Sequence, residues 1–152
     1  MTIKQRKIIY KPLNPNAKIE QTYDGDSGYD LFASLGVNAI CLAPRQRITI
    51  STGIALELPP GVEAQIRPRS GLASAHGITV LNSPGTIDNH YRGEIKVILI
   101  NLGNKRYYIK NGEKIAQLCF SKLDKFDVCD PKSIPIIPIK GQRELNGLGS
   151  SD

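Results

Sequence analysis

The sequence predicts an all-β protein: a jelly-roll-like barrel or sandwich with one short helix and an extended C-terminal arm. Three observations carry this. Polar and apolar residues alternate at period two along most of the chain, and Gly, Pro and Asn punctuate the alternating runs. An apolar, proline-rich stretch near the C-terminus then breaks the pattern. The 152 residues amount to one ordinary domain with a single core.

Element by element, Arg47-Ile48-Thr49-Ile50-Ser51-Thr52 alternates strictly, and Ile54-Ala55-Leu56-Glu57-Leu58 resumes after Gly53. Pro59-Pro60-Gly61 forces a turn and Val62-Glu63-Ala64-Gln65-Ile66-Arg67 alternates again, which reads as a hairpin. A short helix of about two turns is expected from Ser70 to Ala75, stopped by Gly77. A further hairpin is expected between that helix and Asp88. Residues 94–100 are mostly apolar (Ile95, Val97, Ile98, Leu99, Ile100) and read as a buried strand. A turn at 101–105 leads to a return strand, Arg106-Tyr107-Tyr108-Ile109-Lys110. Asn111-Gly112 is a strong turn dipeptide, after which Ile115-Ala116-Gln117-Leu118-Cys119-Phe120 rejoins the sheet.

Beyond residue 126 the character changes. Pro131, Pro135 and Pro138 lack ladder donors, yet Ile134, Ile136, Ile137 and Ile139 are too apolar to be left in water. An extended arm over 127–142, packed on a neighbouring subunit, reconciles the two; an edge strand on the same subunit is the alternative. The Gly/Ser-rich tail over 143–152 reads as a flexible lid, leaving 1–126 as the catalytic domain.

Composition narrows the function. No apolar run approaches the roughly 20 residues of a membrane helix, and the polar start is no secretory signal, so a cytoplasmic protein without membrane association is expected. Cys41, Cys119 and Cys129 are odd in number and widely spaced, which points to free, buried thiols. With only His76 and His90 available, a zinc site is excluded, and any metal is a hard cation such as magnesium. The net charge is +6, but the basic residues are scattered and only 6% of residues are aromatic, so nucleic-acid binding is not expected. A positive balance also suits an enzyme that collects a small polyphosphate.

Two segments carry chemistry. Arg67-Pro68-Arg69-Ser70-Gly71-Leu72 ends a strand and opens the helix, placing a guanidinium, a hydroxyl and free backbone N–H groups together as an anion site. Alone, it is also compatible with a solvated turn. In Gly85-Thr86-Ile87-Asp88-Asn89-His90-Tyr91-Arg92-Gly93-Glu94, Asp88 sits on a Gly-preceded turn with Tyr91 beside it as a flat wall. Alone, Asp88 is also compatible with a turn former and Tyr91 with a rim aromatic.

Taken together with Asp26-Ser27-Gly28-Tyr29-Asp30-Leu31, Gly112-Glu113-Lys114-Ile115-Ala116-Gln117-Leu118 and the tail from Arg143, these segments resemble, in order, the five motifs of the trimeric dUTP pyrophosphatases. The resemblance spans most of the chain. It implies a homotrimer of jelly rolls with active sites shared between subunits. It also implies magnesium-assisted hydrolysis of dUTP to dUMP and pyrophosphate by water attack at the α-phosphate. Such an activity limits uracil incorporation into DNA and supplies dUMP for thymidylate synthesis. By the same resemblance Asp88 activates the water, and Asp30 supports the water and metal network through solvent. Arg69, Ser70 and Gly71 bind phosphate, with Gln117 and Arg143 at the phosphate end. Asn82 and the backbone of Thr86 and Ile87 read uracil, while Tyr91 packs under the deoxyribose. Leu148, Gly149 and Ser150 belong to the lid. Lys96 is a further substrate-proximal candidate, with a surface lysine as the alternative.

Departures from the family pattern concentrate around the chemistry's edges. His90 stands where a second acid is common, Leu148 where a stacking phenylalanine is usual, and Glu144 and Asn146 where glycine is frequent. Two other function classes remain open at this level. dCTP deaminases share the fold but need a glutamate-centred shuttle on the loop that here carries Asp88 and Tyr91. A non-catalytic nucleotide-binding module would be indifferent to loss of Asp88.

Overall fold

The structure is a computed structural model that describes residues 7–124, 126 and 128. Most of the proposed arm, the lid with Arg143, Leu148, Gly149 and Ser150, and Cys129 lie outside the described residues. Twelve strands and one helix are described: β1 (Ile9–Pro12), β2 (Ile19–Glu20), β3 (Gly28–Phe32), β4 (Ala39–Leu42), β5 (Arg47–Ser51), β6 (Ile54–Glu57), β7 (Val62–Arg67), α1 (Ser70–His76), β8 (Ile78–Val80), β9 (Gly85–Ile87), β10 (Lys96–Asn101), β11 (Tyr107–Lys110) and β12 (Lys114–Lys122). This is the all-β fold with one short helix that the alternation predicts.

The largest sheet has five strands in the order β2-β3-β12-β7-β9, and a three-stranded sheet runs β5-β10-β8. Two-stranded ribbons, β1-β6 and β11-β4, complete the layers. Alternation does the building. In β7, Val62, Ala64 and Ile66 turn inward while the residues between them face out. Leu31, Ile50, Ile54, Val97, Leu99, Ile109 and Leu118 are fully buried in the shared core. Of the polar residues drawn inside, Asn101 donates to the carbonyls of Leu42 and Lys105 at 2.9 and 2.8 Å and accepts from the Gly103 N–H. Its amide is thereby satisfied, as burial demands.

Strand positions match the sequence reading, but strand partners do not. β6 and β7 are not a hairpin: β6 pairs with β1, and β7 with β12 and β9. The segment between α1 and Asp88 is not one either, because β8 pairs with β10 and β9 with β7. Nor does β11 return onto β10; it pairs with β4, while β12 lies between β3 and β7. Turn residues end strands, but which edge a strand then joins is decided by burial of its apolar face. Cys41 is a further correction. It is exposed on β4, whereas Cys119 is buried as expected.

Two details position the site. β12 contains a bulge between Lys114 and Ala116, leaving Ile115 and Ala116 buried in succession. One extra residue reverses the strand's facing. Lys114 and Gln117, three apart, therefore lie on one face, opposite Phe32 and Asp30 of β3 respectively. The second detail is α1, which ends at Gly77 with φ of 68°. A side chain at Gly77 would stand 2.5 Å from the Gly103 backbone nitrogen, so glycine is required there for packing as well as conformation.

Candidate active site

Where β7 ends and α1 begins, an open cleft of about 370 Å³ is lined by Gly28, Asp30, Arg69, Ser70, Gly71 and Gln117. The first, second and fourth motif segments thus converge, although 28 and 117 are far apart in sequence. Pairing causes it: Gln117 lies opposite Asp30 on one side and Arg67 on the other. Gln117 Nε2 donates to the Pro68 carbonyl at 3.0 Å, tying β12 to the turn that carries Arg69. A Cβ at Gly28 would lie 2.5 Å from Gln117 Oε1, so a side chain there displaces the end of Gln117. At the helix start Arg69 is the N-cap residue, without a side-chain capping bond, so first-turn N–H groups face the cleft mouth unpaired within the helix.

Asp30 is the hub. Arg69 Nε lies 3.1 Å from its Oδ1, and Lys114 Nζ lies 2.8 Å from its Oδ2. Thr22 Oγ1 donates to Oδ2 at 2.9 Å. Burial alone would raise the carboxyl's pKa. The hydrogen bonds from Lys114 and Thr22 and the charges of Arg69 and Lys114 outweigh burial and hold it below the usual aspartate value. Arg69 is fixed twice, since its Nη1 also donates to the Lys114 carbonyl at 3.2 Å.

The third motif segment lies elsewhere on the same chain. Asn82, Thr86, Ile87, Asp88, Tyr91 and Lys96 are all absent from the cleft lining. β9 runs along β7 with Thr86 opposite Gln65 and Ile87 opposite Ala64, which carries Asp88 toward Glu63. Glu63 is six residues from Arg69, roughly 20 Å at about 3.3 Å per extended residue. Asp88 is exposed, and its carboxylate has no hydrogen bond or ion pair among the described residues. The loop that holds it is nevertheless ordered by its own bonds. Tyr91 N–H donates to the Asp88 carbonyl at 3.0 Å, and Tyr91 Oη donates to the Glu94 carbonyl at 2.8 Å. Glu94 in turn accepts from the Gly53 N–H at 2.9 Å. Lys96 is exposed with its ammonium 3.9 Å from Glu94, the arrangement of a surface lysine in a weak ion pair.

Some cleft residues were given no role by the sequence reading. Thr22 and Tyr23 line the cleft beside Asp26 and Ser27 of the first motif segment, and Lys114 pairs with Asp30. Asp26 Oδ2 accepts from the Tyr23 N–H at 2.9 Å, folding the loop onto itself. Thr22 carries no signal in a single sequence. Lys114 lies inside a quoted motif segment, but its facing depends on the bulge, which periodicity does not reveal.

Comparison with known proteins gives the chain's family. A family model described as dUTPase matches residues 15–151. A deoxyuridine 5'-triphosphate nucleotidohydrolase from Hydrogenobaculum sp. (strain Y04AAS1) is 49% identical over 146 residues, covering 95% of this chain and 97% of the relative. One from Wolinella succinogenes is 46% identical over 150 residues, covering 98% and 96%. Among solved structures, a dUTPase variant from Staphylococcus bacteriophage 80alpha with dUpNHpp superposes with a TM-score of 0.77 at 23% identity, over 97% of this chain and 99% of that one. A dUTPase mutant from phage phi11 of S. aureus, described for its structural Mg(II) ion, gives 0.73 at 22% identity, over 82% and 95%. The chain belongs to the dUTPase family, enzymes that hydrolyse dUTP to dUMP.

Proposed function

We propose that this chain forms dUMP and pyrophosphate from dUTP by water attack at the α-phosphate, in a site shared between subunits of a homotrimer. The Asp30–Arg69 cleft comes from one subunit and the 82–91 segment from another. One observation carries the sharing: within a single chain Asp88 lies far along β7 from Arg69, roughly 20 Å by strand rise. A base must come within hydrogen-bond reach of the water it deprotonates, and that water must reach the phosphate. A second copy supplies the missing half.

In this reading the Asp88 carboxylate, without a partner among the described residues, accepts the proton of the attacking water. Arg69 offers its remaining N–H groups to the phosphates beside Ser70 and the Gly71 backbone, and Gln117 lines the phosphate end. Asn82 and the backbone of Thr86 and Ile87 read the uracil edge. Tyr91, fixed by Glu94, packs under the deoxyribose and leaves no room for a 2′-hydroxyl. Residues 143–152 close over the substrate, with Arg143 at the phosphates and Leu148, Gly149 and Ser150 over the nucleotide, and the arm at 127–142 packs on a neighbour. The cytoplasm is the compartment that fits this activity.

The residues present fit magnesium in one manner. Among the described residues no three His, Cys, Asp or Glu converge on a common point, so a metal cage made of protein alone is not available. Asp30 has a carboxylate lone pair beyond those used by Arg69, Lys114 and Thr22, and would hold a magnesium ion through water. Bound on the triphosphate, that ion spreads negative charge.

Subunit mixing tests the shared site. Asp88→Asn and Arg69→Gln homotrimers are each expected to be nearly inactive in pyrophosphate release from dUTP. Unfolded together and refolded, they should regain activity, because some sites then combine an intact cleft with an intact Asp88. No recovery in verified mixed trimers would place both residues' work on one chain and end this reading.

A further inference from the structure

We propose that Lys114 is a positioning residue: it holds Arg69 through Asp30 and supplies a second cation that offsets the cleft's two carboxylates, Asp26 and Asp30. The inference rests on the phosphate-cleft reading above and goes one layer behind it.

Lys114 does not line the cleft, yet it touches both residues that define its charge. Its ammonium lies 2.8 Å from Asp30 Oδ2 and donates to Thr22 Oγ1 at 3.1 Å. Its carbonyl accepts from Arg69 Nη1 at 3.2 Å. The Lys114 Nζ also stands 5.7 Å from the centre of the Phe32 ring, a further contact that locates the ammonium. The β12 bulge makes this possible by turning Lys114 to the face that carries Gln117 and Asp30.

Charge shows why a second cation matters. Asp30 and Arg69 alone form a neutral pair at 3.1 Å, and a neutral pair draws a polyanion weakly. With Lys114 the triad carries two cations and one carboxylate, which offsets Asp26, the other acid of the lining, and removes the cleft's net negative charge. Lys114 also satisfies Asp30 Oδ2 from behind. Arg69 then binds Asp30 through Nε at a single oxygen, Nη1 donates to the Lys114 carbonyl, and Nη2 has no partner among the described residues. Without Lys114, Asp30 is free to take Arg69 in a bidentate fork that withdraws those donors.

The full-length chain carrying Lys114→Gln tests this against wild type, with Lys114→Arg as the conservative rescue. Binding is measured by calorimetry with three probes: tripolyphosphate, the hydrolysis-resistant imido analogue of dUTP, and deoxyuridine. Steady-state pyrophosphate release gives kcat and KM. Lys114→Gln should weaken tripolyphosphate and the analogue about five- to tenfold and raise KM similarly, with kcat changed less than about twofold. Deoxyuridine, which has no phosphate, should bind as in wild type, and Lys114→Arg should recover most of the loss. Should Lys114→Gln fail to fold, Lys114→Met keeps a side chain of similar length and removes the ammonium. Unchanged anion affinity in a folded variant, or an equal loss for deoxyuridine, overturns the role. Tripolyphosphate separates this from the activity itself: a wild-type chain that binds it through Lys114 but never turns over dUTP would refute the hydrolase reading alone.

Discussion

Asp30 and Asp88 are both carboxylates at motif positions, and their surroundings are opposite. Asp30 is buried and held by Arg69, Lys114 and Thr22. Asp88 is exposed and has no partner for its carboxylate among the described residues. A carboxylate enclosed by cations is a fixed reference for its neighbours and a poor proton acceptor, because its charge is already compensated. One left open on an ordered loop keeps its lone pairs for an incoming water. The difference separates positioning from chemistry more sharply than sequence motifs do.

Three substitutions break or sharpen that contrast. The largest effect is expected at Asp88→Asn, which should lower kcat for dUTP about 10²- to 10⁴-fold while calorimetry with the imido analogue shows binding retained. Loss of binding instead would make Asp88 a ligand-holding residue like Asp30. Gly28→Ala is expected to act on the Asp30 side. The new methyl would fall 2.5 Å from Gln117 Oε1, so the Gln117 amide must shift from its place beside Pro68, and KM should rise several-fold with a smaller change in kcat. An unaltered KM would remove Gln117 from the phosphate end.

The smallest effect is on acid stability. Asp30's folded pKa is lowered, so its contribution is present above the unfolded value of about 4 and is lost as pH falls through the lowered one. Urea titrations at stepped pH should find Asp30→Asn less stable than wild type near neutrality, with the gap closing below about pH 4. A constant gap would mean that packing, rather than ionisation, sets the cost.

Strand limits were legible in sequence because period-two alternation and turn residues are local. The run Val62–Arg67 and the Gly77 stop could be read directly. Pairing was not legible, since β2-β3 is the sole hydrogen-bonded pair of consecutive strands among the described residues. Chain neighbours such as β6 and β7 bury their apolar faces against different partners, and no local pattern encodes that choice. At the site, Arg69, Ser70, Gly71 and Gln117 could be recognised because motif segments contain them. Thr22 and Lys114 required the fold: one lies on a loop without pattern, and the other is turned inward by a bulge. Lys96, adjacent to a motif, makes its ion pair among the described residues with Glu94.

The place of β12 in the large sheet has a consequence for synthesis. It is the last described strand in the chain yet occupies the middle of the order β2-β3-β12-β7-β9. Until residue 122 has left the ribosome, β3 and β7 have no strand between them, and the edges that β12 will fill stay open. Completion of the large sheet therefore waits until β12 has emerged. Ribosome-bound chains stalled before β12 would expose unpaired edges of the kind that chaperones and aggregation both recognise.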